Sequence, residues 1–247
     1  MLKSAYEKPS DEGGEAVMRE TPTDRTKALI GGEGVAALRA SSVLVCGLGG
    51  VGGYALEALV RAGVGRIGVL DGDVITPSNL NRQILATVGT LGMKKTEAAK
   101  ERALSVSPEC EVETYDLFYL PDTAERVDLT RYDWVIDAVD TVAAKVELIC
   151  RAKAQNVNIV SSMGTGNKLS ADFVIKDISE TTVCPLARAV RKQLRERGVT
   201  SGVDVLFSTE TPRGGEGRVP SSISYVPAIA GLMLAGYVIG RITGEGV

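Results

Sequence analysis

Short apolar runs alternate with longer stretches of mixed polarity along most of the chain. "SVLVCG" (42–47), "RIGVLDGD" (66–73), "CEVETYDLF" (110–118), "YDWVIDAVD" (132–140) and "NIVSSMG" (158–164) have the length and β-branched content of strands. Between them, "VGGYALEALVRAG" (51–63), "KKTEAAKERALSVS" (94–107) and "TVAAKVELICRAKAQN" (141–156) read as helices, and "TKALIGGEGVAALRA" (26–40) as an amphipathic helix ahead of the first strand. Apolar strands separated by helices predict an α/β fold: a doubly wound, mainly parallel sheet with helices on both faces.

After about residue 165 the pattern changes. "DFVIKDI" (172–178) and "VDVLFSTE" (203–210) predict strands, "CPLARAVRKQLRERG" (184–198) a helix, and "TPRGGEGRVPSS" (211–222) a loop. These are expected to extend the same sheet and not to form an independent domain. "ISYVPAIAGLMLAGYVIG" (223–240) approaches transmembrane hydrophobicity, but it holds Pro227 and three glycines. A buried helix or subunit contact is the expected reading, with Ala230, Gly231, Ala235 and Gly236 permitting close helix approach. The expected organisation is a disordered leader over 1–21 and one unit over 22–247. Within that unit, 22–165 is a nucleotide-binding core and 166–247 a substrate and dimer extension.

Composition removes several function classes. The net charge of −3 gives no global basic field, so any RNA partner must meet a local patch. Aromatics at 4% argue against base-stacking platforms. The chain has no histidine, which excludes histidine triads, bases and metal ligands. Its four cysteines form no Cys-x-x-Cys pair, so neither a zinc site nor a disulfide framework is expected. The polar start lacks the apolar core of a secretory signal, so a cytoplasmic location without membrane attachment is expected.

Candidate chemistry begins at "VCGLGGVGG" (45–53), where Gly47, Gly49 and Gly52 satisfy G-x-G-x-x-G between a strand and a helix. The first glycine allows a tight turn, the second lets phosphate approach the backbone, and the third allows helix–strand contact. This makes the predicted sheet Rossmann-like. Asp71 ends the second strand, where a carboxylate can accept from ribose hydroxyls. A dehydrogenase would fit so far. Beyond it, "SNLNRQ" carries Asn79 and Arg82, Lys95 opens the next helix, and Asp137 and Asp140 end the fourth strand. Strand ends face one crevice, which would gather Arg82 and Lys95 with Asp71, Asp73 and Asp140. Two cations and several carboxylates suit a triphosphate with magnesium better than a nicotinamide diphosphate. Each residue also fits a plainer role: Arg82 in a surface ion pair, Lys95 as a solvated helix start, Asp140 as a helix N-cap.

Two further features stand outside this crevice. Cys184 precedes Pro185 at a helix start, where a thiol is either activated or merely a small cap-like residue; the latter is favoured. Arg188, Arg191, Lys192 and Arg195 form a stripe at i, i+3, i+4 and i+7, either a solvated face or a salt-dependent contact with RNA phosphates that Arg213 and Arg218 would join.

"VLVCGLGGVGG", "LDGDVITPSNLNRQ", the lysine of "GMKK" and "DAVDT" together resemble the ThiF/MoeB/ubiquitin-activating superfamily of ATP-dependent adenylating enzymes, over about residues 22–240. Outside the nucleotide site, "RTKALIGGEGVAAL", "TTVCPLARAVRKQLRERGV", "VDVLFSTETPRG" and "SISYVPAIAGL" are similar to the branch that dehydrates threonylcarbamoyladenosine in tRNA. The resemblance implies ATP and Mg²⁺, with Asp71 on the ribose, Arg82 and Lys95 on the phosphates beside Asn79, and Asp140 on the metal. It implies that Arg25 reaches into the partner's site of a homodimer. It also implies as partners a tRNA carrying threonylcarbamoyladenosine and, further afield, sulfur-transfer proteins. "NKLSADF" departs from the "LDPT"-like turn of the family. The absent Cys-x-x-Cys pairs depart from the branches that activate sulfur carriers. Activation of a carrier protein's C-terminal glycine, a nicotinamide-dependent oxidoreductase and a non-catalytic ATP-binding adaptor are the competing readings.

Overall fold

The structure is a computed structural model, and it describes residues 20–213 and 220–245. The leader read for 1–21 falls almost wholly outside the described residues, as does Arg218.

Two strands stop short of the runs that predict them, one just before an aspartate and the other on one. β1 (Ser42–Cys46), β2 (Arg66–Leu70), β3 (Glu111–Tyr115), β4 (Trp134–Asp137) and β5 (Asn158–Ser162) are four or five residues long. Just past β2, Asp71 Oδ1 accepts the Asp73 N–H at 2.9 Å; at the end of β4, Asp137 Oδ1 accepts the Val139 N–H at 3.2 Å. Such local capture competes with ladder pairing and turns the chain out of the sheet. β6 (Phe173–Asp177) and β7 (Asp204–Ser208) complete one sheet ordered β3-β2-β1-β4-β5-β7-β6. All neighbouring pairs are parallel except β6 and β7. From β1 the chain winds outward through β2 and β3, then returns to β4 on the other side. The β1/β4 junction is therefore the topological switch point, and a crevice opens beyond its strand ends.

The two sheet faces are covered by separate apolar clusters. Along β1, Val43 and Val45 join one cluster and Leu44 and Cys46 the other, the period-two alternation of a strand buried on both sides. One face carries α1 (Asp24–Ala40), α2 (Gly52–Ala62), α3 (Lys95–Val106) and α6 (Tyr225–Thr243). The other carries α4 (Val142–Ala154) and α5 (Pro185–Glu196). β7 lies between β5 and β6, so the C-terminal segment is woven into the sheet.

α1 differs from the continuous helix expected. It breaks at Gly31, whose φ of 75° and ψ of 172° lie outside the helical region. A residue with a side chain is strained at that φ, so the Gly31–Gly32 pair sets the break. α6 is long and apolar enough to cross a membrane, yet half of it is buried against the protein. Leu234, Ala235 and Val238 are fully buried with Leu56 and Leu59 of α2 in the same cluster. At Gly231 an added Cβ would lie 2.2 Å from the Val51 carbonyl oxygen, so the glycine sets the approach of α6 to α2. Gly236 faces open space and plays no such part.

Candidate active site

The glycine loop is built by backbone proximity. Gly47 has φ +88°, and a Cβ there would sit 2.7 Å from the Ala138 carbonyl oxygen at the β4 exit. A Cβ on Gly52 would lie 1.8 Å from the Gly47 carbonyl oxygen. Both positions require glycine for packing. Gly49 is different: the nearest atom to a Cβ there is Gln83 Nε2 at 3.9 Å. Its bare face opens on a cavity of about 970 Å³ that spans the strand ends from β2 to β5. The N-cap of α2, Val51, makes no side-chain cap, so the helix start is left for a ligand.

Asp71 ties this loop to β2. Its Oδ2 accepts the Leu48 N–H at 2.7 Å, and Lys95 Nζ lies 3.4 Å from the same oxygen. Lys95 also donates to Asp73 Oδ2 at 2.8 Å. Lys95 is buried, so it is not the solvated helix start that its sequence position allowed. One ammonium thus bridges two carboxylates at the cavity wall, leaving one negative charge in excess, and all three residues line the cavity.

Asn79 and Arg82 follow on a 3₁₀ turn. Asn79 Oδ1 accepts the Thr76 N–H at 3.0 Å, closing the turn reciprocally with the Thr76 side chain. The Arg82 guanidinium donates to the Ser78 carbonyl at 2.8 Å and to Asn81 Oδ1 at 3.0 Å. No carboxylate pairs with it among the described residues, so the surface ion pair is not its role. Both residues line the cavity.

Asp137 and Asp140 part company. Asp137 is fully buried beneath α4, where Lys145 Nζ donates to its Oδ2 at 3.0 Å and Ser161 Oγ at 2.5 Å. It does not line the cavity. Asp140 is exposed at the cavity wall. The α4 N-cap is Thr141, so Asp140 is not spent on capping.

Sequence reasoning missed several cavity residues. Leu117, Phe118, Tyr119 and Leu120, after β3, form an apolar wall on the Asp71 side. A Cβ on Gly72 would meet Phe118 at 2.8 Å, so that glycine admits the ring. Gln83 is buried with no partner for Oε1 among the described residues. Lys168 lines the far end. Gln83 closes "SNLNRQ" and Lys168 lies in "NKLSADF", but neither side chain is distinguished there by a pattern that marks it for a site; the wall continues the third predicted strand and carries no motif of its own.

The residues present fit a nucleotide. An open glycine, an uncapped helix start, an orphaned buried amide oxygen and an apolar wall suit phosphates at one end and a base at the other. No cluster of three acidic, cysteine or histidine side chains occurs among the described residues. Asp71 and Asp73 share the one cation of Lys95, whereas Asp140 has no cation partner among the described residues. One carboxylate plus substrate phosphates suits magnesium, which keeps much of its water.

Other candidates lie outside. Arg25 is exposed on the first turn of α1 and does not line this chain's cavity. On α5, Ala187, Val190 and Leu194 are buried, which turns Arg188, Lys192 and Arg195 to solvent. Arg191 is drawn aside: its guanidinium donates to the Thr181 carbonyl at 2.6 Å, so the stripe of four is an exposed set of three. Arg213 reaches the Glu210 carboxylate at 3.4 Å. Cys184 is buried at the cavity wall and is the α5 N-cap, without a side-chain cap bond.

Comparison with known proteins places these features in context. A model of the ThiF family matches residues 23–247. The chain is 39% identical over 233 residues to the tRNA threonylcarbamoyladenosine dehydratase of Bacillus subtilis (strain 168), covering 87% of this chain and 92% of that one. It is 35% identical over 193 residues to the dehydratase of Escherichia coli (strain K12), covering 75% and 72%. The crystal structure of the E. coli tRNA N6-threonylcarbamoyladenosine dehydratase in complex with AMP superimposes with a TM-score of 0.84 at 30% identity, covering 90% of this chain and 93% of that chain.

Proposed function

The chain belongs to the ThiF family, and from that premise we propose that it is an ATP-dependent tRNA threonylcarbamoyladenosine dehydratase. The observation that carries the reading is the cavity at the switch point. It brings Gly49, Asp71, Arg82, Lys95 and Asp140, far apart in sequence, to one surface. Whole-length similarity to dehydratases, with AMP bound in one of them, supports the choice of substrate.

A carboxylate is a poor acyl donor because its leaving group would be oxide. A threonylcarbamoyl carboxylate oxygen attacks the α-phosphorus of ATP, the bond to the bridging oxygen breaks, and pyrophosphate departs. The carbamoyl portion of the same group then attacks the activated carbonyl, and AMP leaves carrying one former carboxylate oxygen. The net change in the nucleoside is loss of one water. Ring closure is intramolecular and draws on orientation worth up to roughly 7–11 kcal/mol in favourable cases. No protein nucleophile is needed, which fits a chain without histidine and a Cys184 buried as a cap.

Asp71 and the apolar wall hold the nucleoside, Asp71 accepting from the ribose. Lys95, already committed to Asp71 and Asp73, holds charge at the ribose–phosphate junction. Arg82, packed against Gly50 of the glycine loop, neutralises phosphate oxygens. Asp140 would hold Mg²⁺, whose chemistry is to neutralise charge building on the polyphosphate. Arg25 serves the site of a second copy in a homodimer, and the exposed α5 cations meet tRNA phosphates. With a tRNA substrate and α6 half-buried against the protein, a cytoplasmic location without membrane attachment completes the reading we propose.

The test is incubation with threonylcarbamoyl-modified tRNA, ATP and Mg²⁺, followed by nuclease digestion and mass spectrometry. Loss of one water from the modified nucleoside is expected, and D140N is expected to lose that activity. An unchanged nucleoside, with pyrophosphate exchange appearing only when a carrier protein is added, overturns the reading in favour of carrier activation.

A further inference from the structure

Three lysines are buried among the described residues: Lys95, Lys145 and Lys168. Two have acidic partners. Lys95 lies 2.8 Å from Asp73 and 3.4 Å from Asp71, and Lys145 lies 3.0 Å from Asp137. Lys168, 4% exposed, has none within salt-bridge distance among the described residues. Its ammonium donates to the Glu210 carbonyl oxygen at 2.7 Å. The Glu210 carboxylate itself is engaged elsewhere, accepting the Leu169 and Ser170 N–H groups at 3.0 and 2.8 Å and facing Arg213. Burying an ammonium without a counter-charge is costly, so such a group is retained where an anion arrives. Burial lowers its pKa from the usual lysine value, against the longer-range attraction of the Cys184 thiol and the Glu210 carboxylate, neither of which reaches it as an ion pair.

Its backbone is held in place. Asn167, at φ +60°, accepts the Ser221 N–H at its Oδ1 at 2.7 Å and donates its own N–H to the Ser221 carbonyl at 2.8 Å. The Asn167 carbonyl accepts the Arg213 N–H at 2.8 Å, and Tyr225 donates to the Leu169 carbonyl at 2.6 Å. A Cβ on Gly166 would lie 2.8 Å from Pro220 Cβ. The loop after β5 is thus strapped on both sides of Lys168, a left-handed non-glycine residue included.

Position completes the argument. Across the strand ends the cavity runs from Asp71 after β2, through the glycine loop after β1 and Asp140 after β4, to Lys168 after β5. A nucleotide anchored at Asp71 with its phosphates at the glycine loop leaves the β5 end, lined by Met163, Thr165, Cys184 and Leu186, for a second reactant. On the dehydratase reading, that reactant presents one reacting anion. We propose that this end of the cavity is the acyl-group pocket, in which Lys168 holds the threonylcarbamoyl carboxylate facing the α-phosphorus. The lysine stays protonated throughout: the carboxylate oxygen forms the new bond to phosphorus, and the electron pair of the broken bond leaves with pyrophosphate. The inference rests on the dehydratase reading.

The test compares wild type, K168Q and K168R. AMP affinity, measured by calorimetry, is expected to stay within about twofold in all three, which also reports a folded nucleotide site. KM for threonylcarbamoyl-modified tRNA is expected to rise at least tenfold in K168Q and to be largely restored in K168R. In wild type that KM is expected to climb at alkaline pH as the ammonium deprotonates, and in K168Q the climb is absent. Equal KM in wild type and K168Q overturns the assignment and leaves the dehydratase reading standing. A K168Q variant that loses AMP affinity as strongly as tRNA also overturns it, because the lysine would then belong to the nucleotide. Wild-type protein that leaves the nucleoside unconverted overturns both.

Discussion

The glycine loop separates folding from binding at single-methyl resolution. Gly49 and Gly52 belong to one motif, but a methyl group meets different surroundings at each. In G49A the new carbon has nothing nearer than Gln83 Nε2 at 3.9 Å, and Gly49 is not in the left-handed region. The fold therefore tolerates it, with a stability change between zero and a gain of about 1 kcal/mol from the stiffer unfolded chain. In G52A the carbon would lie 1.8 Å from a backbone oxygen that anchors the same loop. Relief requires backbone movement, at about 3 kcal/mol by comparison with overpacked cores. In a domain of this size that lowers Tm by about 6–12 °C. ATP affinity inverts the ranking of simple expectation. G49A places its methyl on the face where a phosphate approaches and is expected to weaken ATP binding at least tenfold, about 1.4 kcal/mol, in a protein melting at or above the wild-type temperature. Differential scanning fluorimetry and calorimetry on the two variants decide the matter. A G49A protein that binds ATP as wild type does, or melts well below it, refutes the assignment of Gly49 to phosphate contact.

Three other outcomes are expected. K145M leaves the Asp137 carboxylate buried without its cation and should cost about 3–5 kcal/mol in urea denaturation. K145M/D137N, which removes the charge as well, should be less destabilised, and equal loss in both would show that packing dominates. Burial alone would raise the Glu113 carboxyl, but donation from Arg131, Arg66, Tyr115 and Tyr132 overcomes it and holds the group down to about 2. Its folded pKa is thus below the unfolded value of about 4.3, so its contribution is complete above pH 5 and fades as pH falls from about 4 toward 2. E113Q should flatten the stability profile in that window. Finally, replacing Arg188, Lys192 and Arg195 by glutamine should weaken tRNA binding and reduce the slope of log K against log salt by about two to three. R191Q, whose guanidinium is committed to Thr181, should leave the slope nearly unchanged.

The nucleotide half was legible because its signals are local. A glycine loop between an apolar strand and a helix, followed by an acidic strand end, specifies both turn and sheet order. Helix boundaries came within a few residues wherever a cap or glycine marked them. "DAVD" shows the limit. Asp137 and Asp140 look equivalent in sequence, and only the docking of α4, which brings Lys145 over Asp137, divides a buried ion pair from a free carboxylate. Lys168 was illegible for a similar reason. Its isolation depends on Glu210 turning its carboxylate to the Leu169 and Ser170 amides, a contact across about 40 residues. Arg191 kept its place in the helical stripe but not its exposure, because Thr181 lies beside it only after α5 packs.

The contact of α6 with the glycine loop carries a consequence for synthesis. A Cβ on Gly50 would press against Pro227 at 3.1 Å, and one on Gly231 would strike the Val51 oxygen. A helix made more than 170 residues later, α6, thus braces the glycine loop. A nascent chain halted before residue 225 holds Gly49, Asp71, Arg82, Lys95 and Asp140 yet lacks the bracket that braces the loop among them. Competence to capture ATP should therefore arise in one event once residues 225–243 can pack, and a ribosome-stalled series of lengthening chains would display it as a single step.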